Sequence, residues 1–205
     1  MNRGAISRGA LAAILLCFFL SGAAGLVYQV AWSKALGLVF GHTVYAIATV
    51  LAVFMAGLAA GSAVIGRWCE GKSRPVALYG WLELLIAGLG ASSLVGLVGV
   101  RWLYRAAFPL LADVPALLLL LRGIGAALVL FLPTFLMGGT LPVLVRGLTR
   151  HSAELGARIG RLYWVNTAGA VPGTLAAGFL LLPALGLKRT VAAAVVLNVL
   201  AGAVA

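Results

Sequence analysis

Apolar residues fall in six runs, at about 10–32, 43–66, 76–99, 115–145, 160–183 and 188–205, each near the length that a helix needs to cross a bilayer. The chain is 63% hydrophobic and 9% charged over 205 residues, more apolar surface than a water-soluble domain of this size can bury, so lipid is the expected solvent. In lipid every backbone N–H and C=O must find a partner within the protein, which helices provide and an open sheet does not. The expected fold is therefore all-α: a polytopic membrane bundle of about six transmembrane helices, one domain over residues 1–205.

The formal charge of +11 does not point to nucleic acid, because the basic residues lie between the apolar runs and not on one face or in one tail. They form the pattern that orients a membrane protein. With the N-terminus inside, the inner side holds Arg3, Arg8, Arg67, Lys72, Arg74, Arg146, Arg150, Arg158 and Arg161, and the outer side holds Lys34, Arg101, Arg105, Lys188 and Arg189. Nine against five favours a cytoplasmic N-terminus, and six crossings return the chain to the same side. Arg3, Arg8 and Ser21-Gly-Ala-Ala-Gly25 also fit a cleaved signal peptide, but the apolar character continues to Trp32, which suits a retained span better. Trp32, Trp68, Trp81, Trp102 and Trp164 fall near span ends, as an interfacial belt requires.

The fourth run is about 31 residues long and would reach about 46 Å as a straight helix, against a hydrocarbon core of about 30 Å. Pro133, Gly138, Gly139 and Pro142 mark where it is expected to break or kink, either as a bent packing helix or as a half-helix opening a site. Small residues at four-residue spacing, Gly57 with Gly61 and Gly169 with Gly173 and Ala177, are expected to let helix backbones approach closely within the bundle.

Glu83 is the acid within a span and Arg122 the base well inside one, and charges at membrane depth are functional candidates. Counting from the charged loops separates their levels by about 10 Å. Arg122 is then expected in an outer polar group with Tyr28 and Gln29, near Tyr45, and Glu83 in an inner polar layer with Thr140, Asn166 and Thr167, acting either as interhelical glue or as a ligand or proton site. Glu83 is expected beside Thr140 or Asn166 and farther from Arg122. No catalytic, cofactor or metal residue is assigned: there is no Ser/His/Asp order, no paired carboxylates and no metal spacing, Cys17 and Cys69 are placed for neither a disulfide nor a metal, and His42 and His151 sit in loops. The last run ends at Ala205 without a closing Lys or Arg, so the chain is expected to be the front part of something longer.

Five motifs carry a resemblance: Ser21-Gly-Ala-Ala-Gly-Leu-Val-Tyr-Gln-Val-Ala-Trp32, Phe40-Gly-His-Thr-Val-Tyr45, Val53-Phe-Met-Ala-Gly-Leu-Ala-Ala-Gly-Ser62, Pro133-Thr-Phe-Leu-Met-Gly-Gly-Thr-Leu-Pro142 and Gly160-Arg-Leu-Tyr-Trp-Val-Asn-Thr-Ala-Gly-Ala170. In this order the chain resembles the N-terminal membrane region of the bacterial fused transporter-like (major-facilitator-like)/spermidine synthase proteins. The resemblance implies an inner-membrane location and a following cytoplasmic domain that transfers an aminopropyl group from decarboxylated S-adenosylmethionine to putrescine. That domain and its acidic amine site are not in this chain, so no cofactor is expected here and the lipid bilayer is the expected partner. Three readings follow: a membrane module anchoring or supplying a cytoplasmic aminopropyltransferase-like domain, half of a small-molecule transporter, or an inert anchor or scaffold.

Overall fold

A computed structural model describes residues 7–40, 43–149 and 155–205. Arg3, His42, Arg150, His151 and Glu154 lie outside the described residues. The described chain forms α1 (Arg8–Phe40), α2 (Thr43–Trp68), a single 3-10 turn (Cys69–Gly71), α3 (Pro75–Leu111), α4 (Pro115–Leu148), α5 (Leu155–Ala176), a π-helical turn (Ala177–Leu181) and α6 (Leu182–Val204). Pro75 and Pro115 open α3 and α4 at the first helical turn, where a missing N–H costs nothing and the fixed φ suits the helix.

Five helical stretches are long and apolar enough to cross a membrane, and the last of them, Leu155–Val204, has 50 residues. A straight helix of that length would extend about 75 Å, far beyond a core of about 30 Å. Gly186 divides it. Its φ of 73° and ψ of 175° lie outside the helical region and, among the described residues, it alone has positive φ.

Residue registers give the direction of every helix. Phe18, Tyr28 and Trp32 of α1 meet Tyr79, Gly90 and Ser93 of α3 in the same order, so these helices run parallel. Gly169 and Gly173 of α5 lie against Phe19 and Ala23 of α1, again parallel. Gly57 and Gly66 of α2 face Thr134 and Pro142 of α4, a second parallel pair. Against α3 both α4 and α6 are antiparallel: Gly96 and Val100 meet Val129 and Gly125, and Gly80 and Glu83 meet Gly202 and Asn198. Odd-numbered helices thus point one way and the even-numbered helices the other, α6 from beyond Gly186, the non-helical residue in its first turns at which the chain reverses. Arg8, Arg67, Lys72, Arg74, Arg146, Arg158 and Arg161 accordingly gather towards one end of the bundle, and Lys34, Arg101, Arg105, Lys188 and Arg189 towards the other.

Three expectations are corrected here. The segments after Lys34 and Arg101, read as loops, are largely helical, since α1 continues to Phe40 and α3 to Leu111. Hydropathy marks where an apolar run stops, but a helix continues until its backbone is interrupted. The stretch Pro133–Pro142 is helical throughout, with both prolines inside one 34-residue α4, so it is not a half-helix. Its glycines serve a helix crossing: a Cβ on Gly138 would meet the Leu58 backbone, and one on Gly61 the Phe135 carbonyl. Trp32 is not part of an interfacial belt. It is fully buried, stacks on Tyr28 at 5.2 Å between ring centroids, and donates its indole N–H to Ser93 Oγ at 2.8 Å.

Much of the exterior is apolar. Every helix presents large apolar side chains outward, among them Leu16, Met55, Leu85, Leu128, Val171 and Leu200, each about half exposed or more. A surface of this kind is compatible with lipid as its surroundings and far exceeds the patches a monomeric soluble protein exposes.

Candidate functional site

The polar centre of the bundle forms where α1, α3 and α6 meet. Glu83 faces inward because it shares a helical face with Tyr79, Gly80, Ile86, Ala87 and Gly90, all buried. On α6 the buried face is Thr190, Val191, Ala194, Asn198 and Ala201, small residues with one amide among them. The two faces close at Gly80 and Gly202, where a Cβ on Gly80 would lie 2.9 Å from the Gly202 carbonyl oxygen. One turn away, Asn198 Nδ2 donates to Glu83 Oε2 at 2.5 Å, and both side chains are completely buried or nearly so.

The hydroxyls of Ser21 from α1 and Tyr79 from α3 face the same carboxyl. They approach it without completing the geometry of a hydrogen bond, so Glu83 Oε1, the Tyr79 hydroxyl and Asn198 Oδ1 are buried without hydrogen-bond partners. A buried polar oxygen left in this condition costs about 1–3 kcal/mol.

The inner layer expected from the sequence is not assembled. Thr140 is buried but donates to the Met137 carbonyl of its own helix at 2.7 Å. Asn166 donates across to the Phe18 carbonyl of α1 at 3.1 Å, tying α5 to α1, and Thr167 is exposed. Glu83 instead meets Asn198, a residue outside the expected layer. The outer group is also rearranged. Arg122 places its guanidinium 3.4 Å from the centroid of the Tyr104 ring and shares the wall of a cavity with Tyr45. Tyr28 is buried in the core against Gly90, and the Gln29 backbone carbonyl accepts the Ser33 hydroxyl. Of the marked stretch on α4, Pro133, Gly138 and Gly139 are buried and Pro142 is half-buried.

Asn198 carried a signal that could have found it. It continues a four-residue spacing, Thr190–Ala194–Asn198, on a helix whose other positions are almost all apolar. At the basic end of the bundle a cavity of about 780 Å³ opens beside Gly66, Cys69, Glu70, Lys72, Pro142 and Arg146. Among the described residues no group of His, Cys, Asp and Glu is placed to hold a metal ion.

Fold and site define an all-α bundle of long apolar helices with one buried acid–amide pair. The chain is similar to polyamine aminopropyltransferase 1 of Streptomyces coelicolor, 28% identical over 199 residues, and to the polyamine aminopropyltransferases of Mycobacterium tuberculosis and Mycobacterium bovis, each 30% identical over 205 residues. These alignments take in 97% and 95% of this chain, and the chain spans about a third (34%) of the length of the curated relatives it matches. No family model and no solved structure matches it.

Proposed function

We propose that this chain is the membrane module of an aminopropyltransferase-type protein, anchoring or supplying at its basic end a cytoplasmic transferase domain that lies outside these residues. The observation that carries the reading is the coverage: similarity to polyamine aminopropyltransferases runs through 95–97% of this chain but takes in only 34% of theirs. Aminopropyl transfer to a cationic amine calls for an accessible acidic site. Of the acids in the described residues, Glu70 and Asp113 are exposed at opposite ends of the bundle and Glu83 is sealed inside it. The donor, decarboxylated S-adenosylmethionine, would be bound by the other domain.

In this reading the bundle sits in the bacterial inner membrane with the Arg8, Lys72 and Arg146 end in the cytoplasm, as the excess of basic residues there favours. Cysteine labelling tests the orientation. Lys72→Cys is expected to resist a membrane-impermeant maleimide in intact spheroplasts and to react after permeabilisation, while Asp113→Cys reacts in both. The native Cys17 and Cys69 are buried and contribute little background. The opposite labelling pattern would reject this orientation.

The purified chain alone is expected to transfer no aminopropyl group. The assay supplies putrescine and decarboxylated S-adenosylmethionine and follows spermidine. Turnover at an enzymic rate would show that the helices themselves carry the activity and would end the anchoring interpretation.

A further inference from the structure

The oxygens left over at the α3–α6 seam belong to two groups that already touch. Asn198 Nδ2 donates to Glu83 Oε2, while Glu83 Oε1 and Asn198 Oδ1, the remaining oxygen of each group, have no partner. With the carboxyl ionised, both are acceptors and neither can satisfy the other. One proton on Oε1 changes this, because a carboxylic acid and a primary amide can close a ring of two hydrogen bonds, amide N–H to one oxygen and acid O–H to the amide oxygen.

The groups facing the carboxyl offer no other neutralising charge. They are Tyr79 from its own helix, Asn198 from α6, and Ser21, Cys17 and Tyr28 from α1. None carries positive charge at neutral pH. The carboxyl therefore has one completed hydrogen bond, from Asn198, two hydroxyls nearby and no cation beside it.

We propose that the Glu83–Asn198 pair is a membrane-embedded proton-binding site, in which Glu83 carries the proton on Oε1 and donates it to Asn198 Oδ1, latching α3 to α6. The ligand is a single proton exchanged with the surrounding water, and no other bond is made or broken. Loss of the proton sets two acceptors against each other one turn from the close approach of Gly80 and Gly202. The seam between α3 and α6 therefore reports the protonation of Glu83. This inference concerns the bundle alone and stands independently of the transferase reading.

Infrared spectroscopy of the purified chain in lipid nanodiscs at neutral pH tests it. The wild type is expected to show the carbonyl stretch of a protonated carboxylic acid, sensitive to deuteration, and Glu83→Gln to lose it. Asn198→Leu is expected to shift that band, because the acid loses its amide acceptor. Glu83→Gln is also expected to fold and melt near the wild type, since its amide can rebuild both bonds with Asn198. Absence of the acid band in folded wild type would overturn the proposal, and so would a Glu83→Gln protein that fails to fold.

Discussion

Replacing Gly61 by leucine is expected to unfold the α2–α4 crossing, and Gly138→Leu should do the same from the other side. A Cβ at Gly61 falls on the Phe135 carbonyl and one at Gly138 on the Leu58 backbone. Overpacking in a core costs about 1–3 kcal/mol when side chains can give way. Backbone atoms cannot rotate aside, so each substitution is placed at the upper end, about 3 kcal/mol, a large share of a typical domain's stability of about 5–15 kcal/mol. Because the two glycines share one crossing, their effects should not add. Thermal melts of purified protein in detergent measure this, with Gly88→Ala and Gly99→Ala as controls. Both control glycines lie on α3 with nothing near their missing Cβ, and alanine there should be neutral or stabilise by up to about 1 kcal/mol. If Gly61→Leu and Gly138→Leu both melt with the wild type, the glycines of this crossing are not there for packing, and a role in lining a site becomes the better account.

Trp32→Ala is expected to be the most damaging of the five single tryptophan substitutions. Removing a large buried aromatic costs about 3–5 kcal/mol in a water-soluble core, through lost transfer energy and the cavity left behind. In lipid the transfer part largely disappears, because the unfolded reference is itself apolar. The lost packing against Tyr28 and the lost bond to Ser93 remain, so about 2–3 kcal/mol is expected. Trp102, 64% exposed at the far end of α3, should tolerate alanine within about 0.5 kcal/mol. Equal losses from the two variants in a denaturation series would contradict the burial of Trp32.

What could be read in advance was set by lengths and charges, and what could not was set by rotation and partners. Apolar run lengths and the basic clusters between them lead directly to helices alternating in direction, because the bilayer dimension leaves few other solutions. The ends of α1 and α3 lie beyond their apolar runs because a hydropathy profile follows side chains, while a helix ends where its backbone is interrupted, as at Pro115 or Gly186. Pro133 and Pro142 point to a break, yet a membrane helix accommodates prolines when its surroundings compensate for the lost backbone bonds, and α4 runs unbroken from Pro115 to Leu148. Depth could be counted for Glu83, but depth alone leaves several polar residues at one level. Choosing Asn198 over Asn166 or Thr140 requires knowing that α6 packs beside α3, and that adjacency follows from the turn at Gly186, not from any local pattern around either residue.

Gly186 fixes the parity of the bundle. With φ at 73°, a conformation that L side chains rarely adopt, the chain doubles back, and Ala205 ends on the side where Arg8 begins. Had those residues remained one rod, the chain would run on towards the Lys34 and Arg101 end of the bundle, and Asn198 would be carried away from Glu83. A single backbone dihedral, on a glycine whose carbonyl is held by the Thr190 hydroxyl at 2.8 Å, thus selects both the end of the bundle to which the chain returns and whether the buried acid has a partner.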